Sequence, residues 1–326
     1  MTWNGHLPEH ELQEYVAKVL GSGYAAADVV RMQGGAQKVV YKIECTNGFA
    51  CMLYVWDLNH NYFQEEISQE ETEERSFGGL SFQINHRFMR ESGVLTPALY
   101  DLNVERSRYP FDYALVEYIH GPKAEAYMGH SDPLAQKRVF GRLGEMIANM
   151  HAHERAFHGR PDSGEKNLEP CHLLLLKEAK EELSFLSQQV ESIQKQHDHI
   201  LTVLDQLGAS IDARRLYGYI HGELGPDHVI VTQEQKPYLI DIEGARFFDI
   251  EYEHVFLELR FGDRYRDLAG DRLDWNRMQF YRLYHYISLT GGGLKLLHRG
   301  FPDQAFASRL AAYHTGNILR FVQEWG

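Results

Sequence analysis

Tyr219-Ile-His-Gly-Glu-Leu-Gly-Pro-Asp-His-Val-Ile-Val231, followed after five intervening residues by Pro237-Tyr-Leu-Ile-Asp-Ile-Glu-Gly244, decides the fold of this 326-residue chain. Val229 to Val231 and Tyr238 to Ile240 are short apolar runs on either side of a turn, which predicts two strands. Glu223, His228, Asp241 and Glu243 then stand at strand ends, held by rigid walls. Carboxylates and an imidazole gathered in this way are competent to bind a divalent cation.

Upstream, Lys38 to Glu44 and Phe49 to Trp56 are rich in β-branched and aromatic residues, and Cys45-Thr-Asn-Gly48 joins them. The Asn47-Gly48 pair favours the positive φ values of a tight turn, so an antiparallel hairpin is expected. Six glutamates between Glu65 and Glu74 suggest a solvated helix face or loop. A helix is predicted over Leu80 to Glu91 and a strand over Tyr113 to Ile119, ended by His120-Gly121-Pro122. Beyond this point helical spacing dominates. Val139, Phe140, Leu143, Met146, Ile147 and Met150 mark one stripe between Lys137 and Ala152. Lys177 to Leu207 is predicted as one long helical stretch, and Trp275 to Leu289 as another. The expected organisation is α+β in two lobes: a small antiparallel-β lobe over residues 1–117 and a larger, mostly helical lobe over 118–326.

Acidic side chains number 46 against 33 basic, a formal charge of −13. Nucleic-acid affinity rests on clustered Lys and Arg, so this balance argues against such a partner and favours cationic or neutral ones. Apolar residues make up 44 % of the chain, ample for a packed core. Cys45, Cys51 and Cys171 are an odd number with no CxxC, which excludes a disulfide framework and a cysteine-rich zinc site. The start of the chain lacks the basic and apolar pattern of a secretory signal. Its longest leucine run, Leu173 to Leu176, is far short of the roughly 20 residues of a membrane span. A cytoplasmic protein without a membrane partner is expected.

Phosphoryl transfer relies on positioning and on neutralising phosphate charge, which the carboxylate set of residues 223–243 is suited to do. The stretch resembles the catalytic and metal loops of the aminoglycoside phosphotransferase and choline kinase-like family, relatives of protein kinases. That family reads H-G-D-x-x-x-x-N, then an apolar strand ending I-D. Here His221-Gly222-Glu223 is followed by His228 five residues after Glu223, and by Ile240-Asp241, with Asp241 thirteen residues after His228. Gln33-Gly34-Gly35-Ala-Gln-Lys-Val-Val-Tyr41 resembles the family's phosphate-covering turn. Leu143-Gly144-Glu-Met-Ile-Ala-Asn-Met-His151 resembles its L-G-x-x-L-A-x-L-H helix, and Glu117-Tyr-Ile-His-Gly121 the hinge that binds adenine through backbone groups.

The resemblance implies a two-lobed protein-kinase-like fold. The implied activity is transfer of the γ-phosphoryl of ATP or GTP, with Mg²⁺, to a hydroxyl of a small molecule such as an antibiotic or metabolite. It assigns Glu223 as the base, His228 and Asp241 as metal ligands, Gly34 and Gly35 to the phosphates, and Glu117 and Ile119 to the adenine edge. Glu253, in Phe248-Asp-Ile-Glu-Tyr-Glu-His254, takes the bracing position of the family's G-D-P-x-x-D-L. Several departures stand out. Glu223 and His228 replace the family's Asp and Asn, Tyr54 stands where the family has a strand lysine, and Gln83 where it has the partner glutamate. The missing cation is expected from Lys42, with Lys38 as the other choice. Neutral Tyr54 and Gln83 also leave open a nucleotide-binding pseudokinase. His151, His153 and His158 do not share a helix face and are expected at the surface or in caps. Trp275, Phe280, Tyr281, Tyr284 and Tyr286 read either as core or as a stacking surface for substrate.

Overall fold

A computed structural model describes residues 5–33, 35–69, 76–164, 169–270 and 273–325. The chain begins with α1 (Glu9–Leu20), β1 (Ala26–Arg31), β2 (Val39–Cys45) and β3 (Ala50–Trp56). It continues through α2 (Gln64–Gln69), α3 (Gly79–Glu91), β4 (Leu99–Asn103), β5 (Asp112–Glu117), α4 (Glu125–Met128), α5 (Pro133–His151) and β6 (Glu154–Arg155). Then come α6 (Cys171–Gln189), α7 (Glu191–Ala209), β7 (Tyr217–Ile220), β8 (Val229–Val231), β9 (Pro237–Leu239) and β10 (Arg246–Phe248). The last elements are α8 (Ile250–Phe261), α9 (Trp275–His298) and α10 (Gln304–Trp325).

Contacts divide the chain into two compact units, Met1–Arg142 with Arg160–Asp162 and Pro226–Ala245, and Leu143–Gly159 with Ser163–Gly225 and Arg246–Gly326. This division differs from a boundary after residue 117: residues 118–142 and the β8–β9 pair go with the sheet.

In the first unit a five-stranded antiparallel sheet runs in the order β1-β2-β3-β5-β4. Strand side chains alternate between faces. Val39, Tyr41, Ile43, Leu53 and Val55 are therefore buried together, packed with Leu12 and Val16 of α1. The expected hairpin is β2–β3, but its turn differs from the two-residue form. The Gly48 N–H donates to the Cys45 carbonyl at 3.0 Å, and only Gly48 takes positive φ, at 81°. Thr46 and Asn47 thus stay in ordinary turn conformation, and glycine supplies the left-handed step of a three-residue loop. Glu65 and Glu66 begin α2, whereas Glu70, Glu71, Glu73 and Glu74 lie outside the described residues.

The second unit is mostly helical. The stretch predicted as one helix over Lys177 to Leu207 is two, α6 and α7, separated by Val190 in extended conformation. Folding back lets Leu175, Ala179, Leu183 and Leu186 of α6 be buried in the same unit as Ile200, Val203, Leu204 and Leu207 of α7. An unbroken rod would expose much of that apolar surface. The helix predicted from Trp275 runs nine residues past Leu289, to His298. All three cysteines are buried and free. Among the described residues no helix is long and apolar enough to cross a membrane.

Candidate active site

The first unit gathers its charges at the entrance of β2 and the exits of β3 and β9. A side-chain carbon at residue 35 would lie 2.5 Å from the Lys38 carbonyl oxygen, so only glycine permits the close turn that leads into β2. Gly34 lies outside the described residues. At the end of the turn Lys38 is paired with Asp241, and its Nζ donates to Glu243 Oε1 at 2.7 Å. Burial by itself would lower the Lys38 pKa, but the carboxylates of Asp241 and Glu243 override it and hold the ammonium above its usual range. Lys38 Nζ also stands 5.1 Å from the centroid of the Tyr54 ring.

Lys42, the expected cation, points elsewhere. The β2–β3 register places Val40 opposite Tyr54 and Lys42 opposite Met52, two residues farther from Asp241. Its Nζ donates to Glu44 Oε1 at 2.5 Å and lies 4.6 Å from the Tyr118 ring centroid. Lys38, one residue before β2, sits at the end of the strand nearest the carboxylates. Gln83 is exposed, so α3 carries no ionic partner for the lysine at that position. Phe82 and Asn85 face inward instead. Phe82 packs against Tyr54 and Trp56 at centroid distances of 5.7 and 5.4 Å, and Asn85 Nδ2 donates to the carbonyls of Ile242 and Glu243 at 2.9 and 3.0 Å. Tyr54, Trp56 and Phe82 thus form an aromatic cluster at this point. The Trp56 indole N–H adds a 2.8 Å bond to Glu243 Oε1.

β8 and β9 pair antiparallel, with Val229 opposite Leu239, and the Ile240 N–H donates to the His228 carbonyl at 3.0 Å. This short ladder sets His228 Nε2 3.5 Å from Asp241 Oδ2 and 3.7 Å from Asp227 Oδ2. Asp241 takes φ of +58°, a conformation that a short polar side chain tolerates and most residues resist. At the hinge, the Glu117 amide donates to the Ala98 carbonyl at 2.8 Å and the Glu117 carboxylate accepts from the Ala98 N–H at 2.9 Å. Ile119, two residues on, is buried.

In the second unit the chain leaves β7 into His221-Gly222-Glu223. Glu253, fully buried on α8, accepts from the backbone N–H groups of His221 at 2.9 Å and Gly222 at 3.0 Å. Its other oxygen lies 2.6 Å from His151 Nε2. Burial would raise the Glu253 pKa, yet the His151 bond and charge, His221 and the Gly222 N–H outweigh it and hold the carboxyl below its usual range. The brace expected of Glu253 is therefore present, and it leaves the Glu223 side chain exposed. His151, expected at the surface, is buried as part of that brace, and His158 is buried with Nε2 2.8 Å from the Glu169 carbonyl. The partner of His151 comes from α8, which spacing along its own helix does not show. Phe280, Tyr281 and Tyr284 are core residues, while Trp275 and Tyr286 line a groove with Arg282, Arg320 and Phe321.

The second unit thus bears a braced loop with an exposed carboxylate, and the first unit bears a cation at the end of a glycine turn and carboxylates beside an imidazole. The sequence description of the Phosphotransferase enzyme family matches residues 80–281. No curated protein matches the chain in sequence. Among solved structures, a thermostable mutant of aminoglycoside phosphotransferase APH(4)-Ia in its apo form is similar, with TM-score 0.65 and 14 % identity, over 96 % of this chain and 99 % of that one. A ternary complex of such a mutant with ADP and hygromycin B gives TM-score 0.63 at 14 % identity, over 96 % and 98 %. Choline kinase LicA from Streptococcus pneumoniae gives 0.64 at 12 % identity, over 97 % and 99 %. These likenesses establish a kinase-like fold. With the family match spanning most of the chain, this protein belongs to the phosphotransferase enzyme family and is an enzyme of the small-molecule kinase type.

Proposed function

We propose that the protein transfers the γ-phosphoryl group of ATP or GTP to a hydroxyl of a small molecule, with Glu223 as the base. The substrate hydroxyl proton passes to the Glu223 carboxylate as its oxygen bonds to the γ-phosphorus. The bond from that phosphorus to the bridging oxygen breaks, and the nucleoside diphosphate leaves. Backbone groups of Glu117 and Ile119 meet the base, the turn at Gly34 and Gly35 covers the phosphates, and Lys38 replaces Lys42 as the cation that pairs with them.

Asp241 and His228, with Glu243 beside them, are the residues that would hold Mg²⁺. They fit a cation: Asp241 and Glu243 already converge on one positive charge, that of Lys38. The bound ion would offset the charge of the phosphates. That convergence carries the assignment: carboxylates that already gather one cation offer the oxygen ligands and negative potential a divalent ion needs. Nucleotide supply and three buried free thiols are consistent with a cytoplasmic home.

The test is calorimetric titration of ATP and of GTP with and without Mg²⁺, then a screen of hydroxyl acceptors that includes aminoglycosides, macrolides and choline. Nucleotide binding that needs Mg²⁺ and loses this dependence in Asp241→Asn is expected, together with turnover on at least one acceptor. Equal affinity with and without metal in both proteins would favour the nucleotide-binding pseudokinase to which neutral Tyr54 points.

A further inference from the structure

We infer that His6, Asp57 and His60 form a second cation site, separate from the phosphotransfer chemistry, which holds one zinc-type divalent ion and staples the segment before α1 to the end of β3. All three residues belong to the first unit. His6 precedes α1, Asp57 follows the last residue of β3, and His60 closes the short 3₁₀ turn Leu58–His60.

Three ligand atoms converge there. His60 Nδ1 lies 3.1 Å from Asp57 Oδ2, His6 Nε2 lies 3.3 Å from His60 Nδ1, and His6 Nε2 lies 3.5 Å from Asp57 Oδ2. A tetrahedral ion with bonds of about 2.0–2.2 Å has ligand–ligand edges of about 3.3–3.6 Å, close to this triangle. Hydrogen bonds explain it less well. If both rings donate to Asp57 their N–H groups face each other, and if one ring nitrogen is bare then one proton must serve two neighbours. Hydrogen bonding satisfies at most two edges of the triangle, whereas one cation satisfies all three.

The residues behind the ligands are arranged as a metal site needs. His6 Nδ1 is 2.7 Å from the hydroxyl of buried Tyr41, and donation there turns the Nε2 lone pair toward the triangle. Asp57 Oδ1 accepts from the Asn59 N–H and from Asn59 Nδ2, both at 3.0 Å, so Oδ2 is the oxygen presented to the triangle. The His6 ring is wedged edge-on against Phe111, centroids 5.3 Å apart. His6 and Asp57 side chains are 8 % and 9 % exposed, against 44 % for His60, which gives a rigid floor and an open rim for entry. Two imidazoles with one carboxylate favour zinc over magnesium, so this site and the Asp241 site select different ions. The staple joins positions 51 residues apart in sequence. Asp57 also directly follows Trp56, whose indole N–H bonds Glu243, so the ion would steady the strand end that serves the active site.

The test uses the full chain free of any affinity tag, stripped with chelator and titrated with Zn²⁺ alone in the absence of nucleotide. One Zn²⁺ per chain is expected, with a rise in thermal midpoint, and Co²⁺ should give the visible absorption of a four-coordinate N/O site. His60→Gln and Asp57→Asn should weaken Zn²⁺ binding at least about 100-fold. Tyr41→Phe, which keeps the core shape, should weaken it about 10-fold, on the scale of losing a partner behind a ligand. His10→Gln, at a neighbouring exposed histidine, should change nothing. Failure to bind Zn²⁺, or binding that survives His60→Gln and Asp57→Asn unchanged, overturns the site and leaves the phosphotransferase reading untouched.

Discussion

Replacing Glu253 tests the brace under the catalytic loop. Its carboxylate receives two backbone N–H bonds, from His221 and Gly222, and lies 2.6 Å from His151 Nε2, all in a fully buried position. A hydrogen bond to a charged group contributes about 1.5–3 kcal/mol and a neutral one about 0.5–1.5, so Glu253→Gln should cost about 1 kcal/mol per bond, or about 3 in all. Glu253→Ala orphans both N–H groups, at about 1–3 kcal/mol each. Because the folded carboxyl titrates below the usual glutamate value of 4.5, its contribution is complete above that pH and fades as pH falls through the depressed value. The assay is urea unfolding at pH 7 and at pH 3.5, with unchanged slopes. The deficit of Glu253→Gln should be large at pH 7 and shrink in acid. Glu253→Ala within about 0.5 kcal/mol of wild type at pH 7 would refute the brace.

Other outcomes follow from the same geometry. Lys38→Met should weaken nucleotide binding or turnover at least about 10-fold, whereas Lys42→Met, which loses contacts to Glu44 and the Tyr118 ring, should change it less than about threefold. Calorimetry and initial rates check the pair, and the reverse order would return the phosphate cation to Lys42. Burial holds His254 and His285 down to about 4, so both are neutral in the fold at pH 5 while the unfolded chain protonates them. Stability should then rise with pH between about 4 and 6.5, by up to about 1.4 kcal/mol per pH unit for each histidine. Urea midpoints across that range should show the slope, and His285→Gln, which can still donate to the Tyr252 carbonyl, should flatten it.

Spacing made the catalytic region legible. His221, Glu223, His228, Asp241 and Glu253 fall on a short segment whose strands and turn are local, and the structure gives Glu253 the bracing contacts expected of it. The hairpin was legible for the same reason, since β-branched runs around Asn47-Gly48 fold against each other. What could not be read depends on register and on partners distant in sequence. Lys38 lies one residue before β2 and Lys42 within it, and only pairing with β3 and the close turn at Gly35 decides which one meets Asp241. Gln83 stands where the family has its partner glutamate, but helix rotation leaves it exposed and buries Phe82 and Asn85 instead. The break at Val190 has no proline or glycine to announce it; extended backbone there lets α6 and α7 fold back on each other.

The central claim is that Glu223 works as a base in an active phosphotransferase. Its most direct test is kcat for transfer to the best acceptor, measured beside nucleotide affinity, in wild type, Glu223→Asp and Glu223→Gln. Glu223→Gln should lose about 10²-fold or more of kcat with nucleotide affinity nearly unchanged, and Glu223→Asp, which withdraws the charge by about 1 Å, should fall between. Equal kcat in wild type and Glu223→Gln would contradict the claim.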